Sequence, residues 1–152
     1  MMKIGTVFKF AVPEGWKQFQ KEGRHIFHGP NREELIVSAS LTQGTGTLGD
    51  LTKVQQRLFT NAEQAANNAA AHSGLKVTRP FEKDGRASSV ECWSLQAQTQ
   101  EGDTLFYQAA FSDTRGILLA TLEAPNTTHS LSIFEQFIKS VEVISQNEAL
   151  IE

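Results

Sequence analysis

Histidine and cysteine are the side chains best suited to bind a metal ion, and this chain has four of the first and one of the second. A zinc site needs such residues at spacings that bring them together. His25 and His28 are three residues apart on a predicted strand, so their side chains point to opposite faces. His72 and His129 have no cysteine or histidine near them at ligand spacing. The sequence therefore predicts no metal site.

Cys92 is the one cysteine that could act as a nucleophile. A reactive thiolate needs a helix N-terminus or a cation beside it, whereas Cys92 lies in a predicted central strand between Glu91 and Trp93. In such a place a free cysteine usually packs as a small apolar side chain. We therefore expect no catalytic role for Cys92, and a single cysteine excludes an internal disulfide.

A glycine-rich loop, Gly44 to Gly49, precedes a predicted helix and resembles a phosphate-binding loop in its spacing. It lacks the Lys-Ser/Thr pair that follows such loops, and Asp50 would repel a phosphate at the helix start. The loop is therefore interpreted as a connection. No Ser/His/Asp set is recognisable in the sequence, so an enzyme would need a site assembled from distant residues.

The composition excludes several other classes of function. A formal net charge of -3 provides no basic surface for nucleic acid, and no window approaches the ~18 consecutive apolar residues of a membrane span. The first residues contain no signal-peptide core. Ten Phe, two Trp and one Tyr supply a large core. We expect a single cytoplasmic domain over residues 1–152, without a cofactor.

Apolar alternation and turn signals predict seven strands and two helices in the order β-β-β-α-β-β-β-β-α. The predicted strands are Val7–Val12, His25–His28, Leu35–Leu41, Leu75–Phe81, Ala87–Gln100, Leu105–Ser112 and Ile117–Ala124. The predicted helices run from Asp50 to Ser73 and from Ser130 to Ser140, and small alanines on the first would let it lie close to what it covers. Short hairpins with separate helices indicate an α+β sandwich with an antiparallel sheet of about seven strands.

Two hairpin turns predict which side chains share a face of this sheet. The first turn, centred on Gly102, pairs Leu105, Tyr107, Ala109 and Phe111 with Thr99, Ala97, Leu95 and Trp93. The second turn, centred on Thr114 and Arg115, pairs Phe111, Ala109 and Tyr107 with Leu118, Ala120 and Leu122. Because these residues are almost all apolar, this face is predicted to be core.

The other face of the same strands is neutral and mixed, and it is the predicted partner-binding surface. The residues predicted to bind a partner protein are Gln96, Phe106, Gln108 and Leu119. Neutral amides beside apolar anchors accept another protein without burying an unpaired charge. The alternative is a face covered by a helix or by solvent. A β-bulge is expected near Cys92, because Val90 and Cys92 alternate out of phase with Trp93.

Two short motifs carry a resemblance to a known fold. The first strand is closed by Pro-x-x-Trp at Pro13 and Trp16, and the last helix carries the run Ser-x-Phe-Glu-x-Phe-Ile-x-Ser-Val from Ser132 to Val141. Together with the order of elements, these motifs resemble the fold shared by the photosystem protein PsbP and the Ran-binding Mog proteins. The motifs are structural, and the likeness extends over nearly the whole chain as a layout.

The resemblance implies a non-enzymatic protein that binds another protein, as members of this superfamily generally do. Length and the missing export signal look most like a bacterial branch that includes the Eag-type chaperones of type VI secretion effectors and other toxin-associated proteins. The expected partner is a secreted effector or toxin, and the expected role is that of a chaperone or adaptor, or of an immunity protein. A chaperone should present a wide apolar groove, doubled in a homodimer, whereas an immunity protein should present a charge-patterned patch.

Two rival functions follow from the same reasoning. One is a regulatory subunit that binds a nucleotide-regulated protein, as the Ran-binding relatives do. The other is an enzyme with a spatially assembled site. Neither rival involves nucleic acid or insertion into a membrane.

Exhaustive chelation should leave the thermal stability of this protein unchanged. We expect this because no residues of the sequence have the spacing of metal ligands. The core is also large enough to fold without a metal. The measurement is the midpoint of thermal unfolding before and after dialysis against a strong chelator. A loss of several degrees would reveal a structural metal.

Overall fold

The computed structural model describes residues 2–5, 7–41, 74–87, 89–113 and 115–144, together with Gln64. Within these residues lie ten β-strands and one α-helix. In chain order they are β1 Met2–Ile4, β2 Phe8–Phe10, β3 Lys17–Lys21, β4 Arg24–His28, β5 Glu34–Leu41, β6 Lys76–Lys83, β7 Glu91–Gln98, β8 Thr104–Asp113, β9 Gly116–Pro125, α1 Thr128–Ser140 and β10 Glu142–Val143. The predicted helix Asp50–Ser73 and the glycine-rich loop lie outside the described residues.

The strands form two antiparallel sheets. A large sheet has seven strands in the order β3-β4-β5-β9-β8-β7-β6, and a small sheet has three in the order β1-β2-β10. The α+β class and the seven-stranded antiparallel sheet are confirmed, but the membership of the sheet differs from the prediction. The predicted first strand, Val7–Val12, shortens to β2 and belongs to the small sheet, while the unpredicted β3 completes the large one.

Both edges of the large sheet are protected against pairing with another strand. At one edge, β3 has the sequence Lys-Gln-Phe-Gln-Lys and every residue is exposed. At the other edge, β6 begins and ends with lysine, contains Pro80 and has two shifts of register against β7. Charge, proline and irregular pairing are the usual means of blocking a sheet edge. Because β3 has no apolar alternation, the sequence did not predict it as a strand.

The register of β7 against β8 differs by one residue from the prediction. Gln96 lies opposite Tyr107, and Cys92 lies opposite Phe111. The turn is centred between Glu101 and Gly102, because the N–H of Thr99 donates to the carbonyl of Thr104. A slip of one residue moves every side chain of a strand to the other face. Cys92, Ser94, Gln96 and Gln98 therefore share a face with Tyr107, whereas Trp93, Leu95 and Ala97 do not.

The predicted bulge near Cys92 is wrong for the same reason. Strand β7 pairs continuously with β8 from Glu91 to Gln98, and the irregular pairings lie on β6, on either side of Arg79. The pairing of β8 with β9 is as predicted, with Phe111 opposite Leu118. The apparent phase conflict at Cys92 came from the misplaced turn and needs no extra residue.

The core lies between one face of the large sheet, here called the inner face, and the elements that cover it, α1 and the small sheet. Phe134 of α1 stacks on Tyr107 of β8, with ring centroids 3.9 Å apart and an interplanar angle of 18°. Phe137 packs edge-on against Phe10 of β2 and Phe111 of β8. The phenylalanines of the C-terminal motif thus join the helix to both sheets through aromatic contacts.

The Pro-x-x-Trp motif builds a corner where the chain enters the large sheet. A Cβ atom at Gly29 would lie 2.7 Å from the ring of Trp16 and 2.6 Å from Oε2 of Glu33. Glu33 is buried, and its Oε1 accepts a hydrogen bond from the N–H of Asn31. Only glycine fits at position 29, because any side chain there would displace the tryptophan and the buried carboxylate.

A buried carboxylate fixes the turn between β6 and β7. The side chain of Asp84 is fully buried and accepts hydrogen bonds from the Arg86 guanidinium at 2.6 Å and from the Ser94 hydroxyl at 2.6 Å. The Arg86 guanidinium also lies 5.4 Å from the centroid of the Phe134 ring. A buried charge is tolerated when it is paired and fully hydrogen-bonded. This cluster therefore ties the β6–β7 turn to α1.

The electrostatic state of Asp84 follows from these contacts. Burial by itself raises the pKa of Asp84, but the hydrogen bonds from Arg86 and Ser94 outweigh it, so that the pKa lies below the usual 3.8. A carboxylate with a lowered pKa in the folded state contributes stability in full above its unfolded pKa and loses it as the pH falls toward the folded value. This contribution is therefore present at neutral pH and fades below about pH 4.

Asp84→Asn should lower the free energy of unfolding at pH 7 by roughly 1–3 kcal/mol, because the amide removes a charged acceptor from two buried donors. The difference from wild type should shrink as the pH falls below about 4. Urea unfolding at pH 7, 5, 4 and 3 measures both effects. The control is Glu101→Gln, which removes a carboxylate at an exposed turn and should stay within about 0.5 kcal/mol of wild type at pH 7. A difference that does not change with pH would contradict this account.

Candidate functional site

The side of the large sheet that faces away from α1 is here called the outer face, and it is less apolar than the inner face. Directly paired residues of an antiparallel sheet project to the same side, so the register assigns the outer face row by row. One row across the strands contains Phe19, Ile26, Ile36, Thr121, Gln108 and Leu95. The next row runs through Ser38, Leu119, Ala110 and Trp93.

A groove crosses the middle of this outer face and encloses a cavity of about 280 Å³. Its floor is formed by Ile36, Ser38, Gln108, Ala110, Leu119 and Thr121. Arg24 of β4 lies at one end and Phe81 of β6 at the other. We call this feature the outer groove. It runs across the strand direction from β4 to β8.

The polar side chains of the outer groove have no partners among the residues that the structure describes. Arg24, Ser38, Gln108 and Thr121 make no side-chain hydrogen bond or ion pair within the described part of the chain. Arg24 is exposed, and the other three are half-buried. Half-buried hydroxyl and amide groups that lack protein partners remain free to bond to water or to a ligand. The outer groove thus combines an apolar floor with hydrogen-bonding groups that are available.

The structure brings two of the four predicted partner-binding residues together. Gln108 and Leu119 both line the outer groove. Phe106 shares their face, but it packs on the buried side chains of Leu95 and Ala97 beside the groove. Gln96 was placed on the wrong face, because the turn before β8 lies one residue from its predicted centre and pairs Gln96 with Tyr107 on the inner face.

Four further residues of the outer groove escaped the sequence analysis. They are Arg24, Ile36, Ser38 and Phe81. The two predicted hairpin turns relate only β7, β8 and β9, which follow one another in the chain. Strand β5 pairs with β9, which is distant in sequence, and no local turn predicts such a pairing. The alternation of Ile36 and Ser38 with buried Leu35 and Val37 was the only available signal that β5 has a second face.

The residues considered for metal binding do not form a cluster. His25 and His28 project to opposite faces, as predicted, because they pair with Val37 and Glu34 respectively. His28 lies 2.9 Å from the carboxylate of Glu34. No group of three or more histidine, cysteine or acidic side chains with metal-binding geometry occurs among the described residues.

Cys92 and Tyr107 are buried on the inner face beside the Asp84 cluster. Burial raises the pKa of the Cys92 thiol to about 12, and the nearby Asp84 carboxylate adds to the effect. Burial likewise raises the pKa of Tyr107 to about 12, although Arg86 opposes it. The Tyr107 hydroxyl has no hydrogen-bond partner. Both groups are held in their neutral forms, which makes them poor nucleophiles.

Cys92 should react with a thiol reagent only when the protein unfolds. A pKa near 12 instead of the usual 9 lowers the thiolate fraction at pH 8 by about a thousandfold, and burial also blocks access. Labelling with a chromogenic disulfide, with and without denaturant, measures the two rates. Ser132→Cys, at an exposed position of α1, is the control and should label rapidly in the folded protein. Rapid labelling of folded wild type would mean that Cys92 is accessible.

The described part of the chain contains no helix that is long and apolar enough to span a membrane. No known family model matches the sequence, and no curated protein matches it. Solved structures are similar in fold. The solution structure of the cyanobacterial PsbP (CyanoP) from Synechocystis sp. PCC 6803 aligns with a TM-score of 0.52 and 16% identity, over 94% of this chain and 98% of CyanoP.

Two further solved structures align with this chain. A crystal structure of a protein from Bacteroides thetaiotaomicron aligns with a TM-score of 0.51 and 14% identity over 93% of this chain. This chain spans 46% of the length of that protein. LpqN of Mycobacterium tuberculosis, involved in cell envelope biogenesis, aligns with a TM-score of 0.48 and 11% identity, over 91% of this chain and 83% of LpqN. The CyanoP match establishes a PsbP-like fold.

Proposed function

We propose that this chain is a non-enzymatic domain that binds another protein through its outer groove. The observation that carries the proposal is the set of unpartnered polar side chains, Arg24, Ser38, Gln108 and Thr121, around an apolar floor. Apart from Arg24, which is exposed at one end, the groove offers apolar anchors and neutral hydrogen-bonding groups, and such a surface gains from desolvation without burying an unpaired charge. The candidate nucleophiles, in contrast, are buried and neutral.

The partner class rests on the resemblance of the sequence motifs. The proposed role is that of a cytoplasmic chaperone or adaptor for a secreted bacterial effector or toxin, of the type associated with type VI secretion. An immunity protein of the same branch would need a patch patterned in charge, and Arg24 is the one charged side chain described in the lining of the outer groove. A mostly neutral groove favours the chaperone over the immunity role.

Gln108→Arg should abolish binding of the partner, because a larger, charged side chain would fill the groove and would be desolvated by an incoming protein. Leu119→Ala should weaken binding by roughly 2 kcal/mol through loss of an apolar anchor. The matched controls are Gln136→Arg and Leu131→Ala, the same changes at exposed positions of α1. The measurement is co-purification of each variant with the product of an adjacent gene.

Circular dichroism and thermal unfolding should first show that the four variants are folded. Loss of the partner in the two groove variants and its retention in the two helix variants would support the proposal. Equal recovery of the partner by wild type and Gln108→Arg would place the interface elsewhere. Loss of the partner in Leu131→Ala would place the interface on the exposed surface of α1.

A further inference from the structure

We infer that the outer groove binds an extended peptide segment that presents an acidic side chain to Arg24. The inference rests on the proposed function and specifies the partner of the same site. The proposed occupant of the outer groove is a segment of another protein. Three features of the groove support it: its free hydrogen-bonding groups, its charge and its length.

The free hydrogen-bonding groups favour an extended segment over a helix. Ser38, Gln108 and Thr121 offer donors and acceptors along the groove and have no partners in the described part of the chain. A helix satisfies its own backbone groups, whereas an extended chain arrives with unpaired N–H and C=O groups. A hydrocarbon chain would leave the same three side chains without partners in a desolvated site. A peptide backbone is therefore the complementary ligand.

The charge around the groove favours an acidic side chain. Arg24 lines one end and is exposed. Lys21 lies opposite Arg24 on the neighbouring strand β3. A free guanidinium binds carboxylates with two parallel hydrogen bonds, and Lys21 adds attraction of the same sign. Two acidic residues of this face, Glu34 and Glu123, lie opposite each other on β5 and β9, and Glu34 is paired with His28.

The length of the groove sets the spacing within the peptide. Arg24 and Leu119 lie on strands separated by two steps of the sheet, from β4 through β5 to β9. Two steps span about 10 Å, which an extended chain crosses in about three residues. Leu119, a half-buried apolar side chain of the floor, would contact an apolar side chain of the peptide. The predicted ligand therefore has Asp or Glu about three residues from Leu, Ile or Phe.

Selection from a random heptapeptide library displayed on phage tests this inference on the whole chain of residues 1–152. Wild type should enrich peptides with an acidic residue about three positions from an apolar one. Arg24→Glu should instead enrich peptides with lysine or arginine at that position. Gln136→Arg should select the same peptides as wild type. For a selected peptide, replacing its acidic residue by the amide should weaken binding to wild type about tenfold and leave binding to Arg24→Gln unchanged.

Each other result would overturn the inference. Failure to enrich any peptide on wild type, or enrichment without acidic residues, would exclude an acidic extended ligand. A change of oligomeric state in Gln108→Arg would show that a second copy of this chain fills the groove. A photo-crosslinker at Thr121→Cys that joins to residues 42–73 of the same chain would show that the groove is occupied from within.

The outcomes also separate this inference from the proposed function. If Gln108→Arg loses the partner and Arg24→Glu keeps it, the groove is the binding site but the acidic specificity is wrong. If wild type selects acidic peptides and Gln108→Arg still captures the partner, the groove binds peptides but the partner docks elsewhere.

Discussion

The hydrogen bonds that close the turn between β7 and β8 decide which side chains of β7 face the core. Gly102 adopts a φ of 75°, and its N–H donates to the carbonyl of Thr99. With that register Ser94 turns inward and supplies a hydrogen bond to the buried Asp84. Leu95 turns outward and supports Phe81, which forms one end of the outer groove. A slip of one residue would exchange Ser94 and Leu95, and would remove both the Ser94 hydrogen bond to Asp84 and the contact of Leu95 with Phe81.

The two faces of the large sheet differ in their contacts. The inner face carries the aromatic contacts of Phe134 and Phe137 and the Asp84 cluster, so the free energy of folding is concentrated there. The outer face carries Ser38, Gln108 and Thr121, whose side chains make no hydrogen bonds within the described part of the chain. Substitutions in the groove can therefore change recognition while the core stays intact. The edges at β3 and β6 are blocked against pairing with another strand.

The sequence was sufficient for those parts of the fold that depend on local signals. Turn residues and apolar alternation predicted β4, β5, β8, β9 and α1 to within a few residues, and the two motifs pointed to the PsbP-like fold. The β8–β9 register followed from its short turn. The prediction of the β7–β8 register was wrong by one residue. A turn centred on Gly102 and a turn centred between Glu101 and Gly102 contain the same residues, so turn signals alone do not distinguish them.

The candidate site was only half predictable, because its two halves come from distant parts of the chain. Gln108 and Leu119 were found from adjacent strands. Arg24 and Ser38 reach the same groove through the pairing of β5 with β9, which depends on the whole topology. Strand β3 was missed because its Lys-Gln-Phe-Gln-Lys sequence is stabilised by pairing with β4 and not by burial.

The pairing of β5 with β9 has a consequence for when binding begins. It joins residues 34–41 to residues 116–123, so it closes a long loop and carries a large entropic cost that local contacts do not repay. The floor of the outer groove forms only when β5 and β9 have paired, since Ser38 lies on β5 and Leu119 lies on β9. A nascent or partly folded chain has the two halves of the floor but not the groove. Recognition at the proposed site would therefore require a chain in which β5 and β9 have paired, and a bound partner would stabilise that pairing.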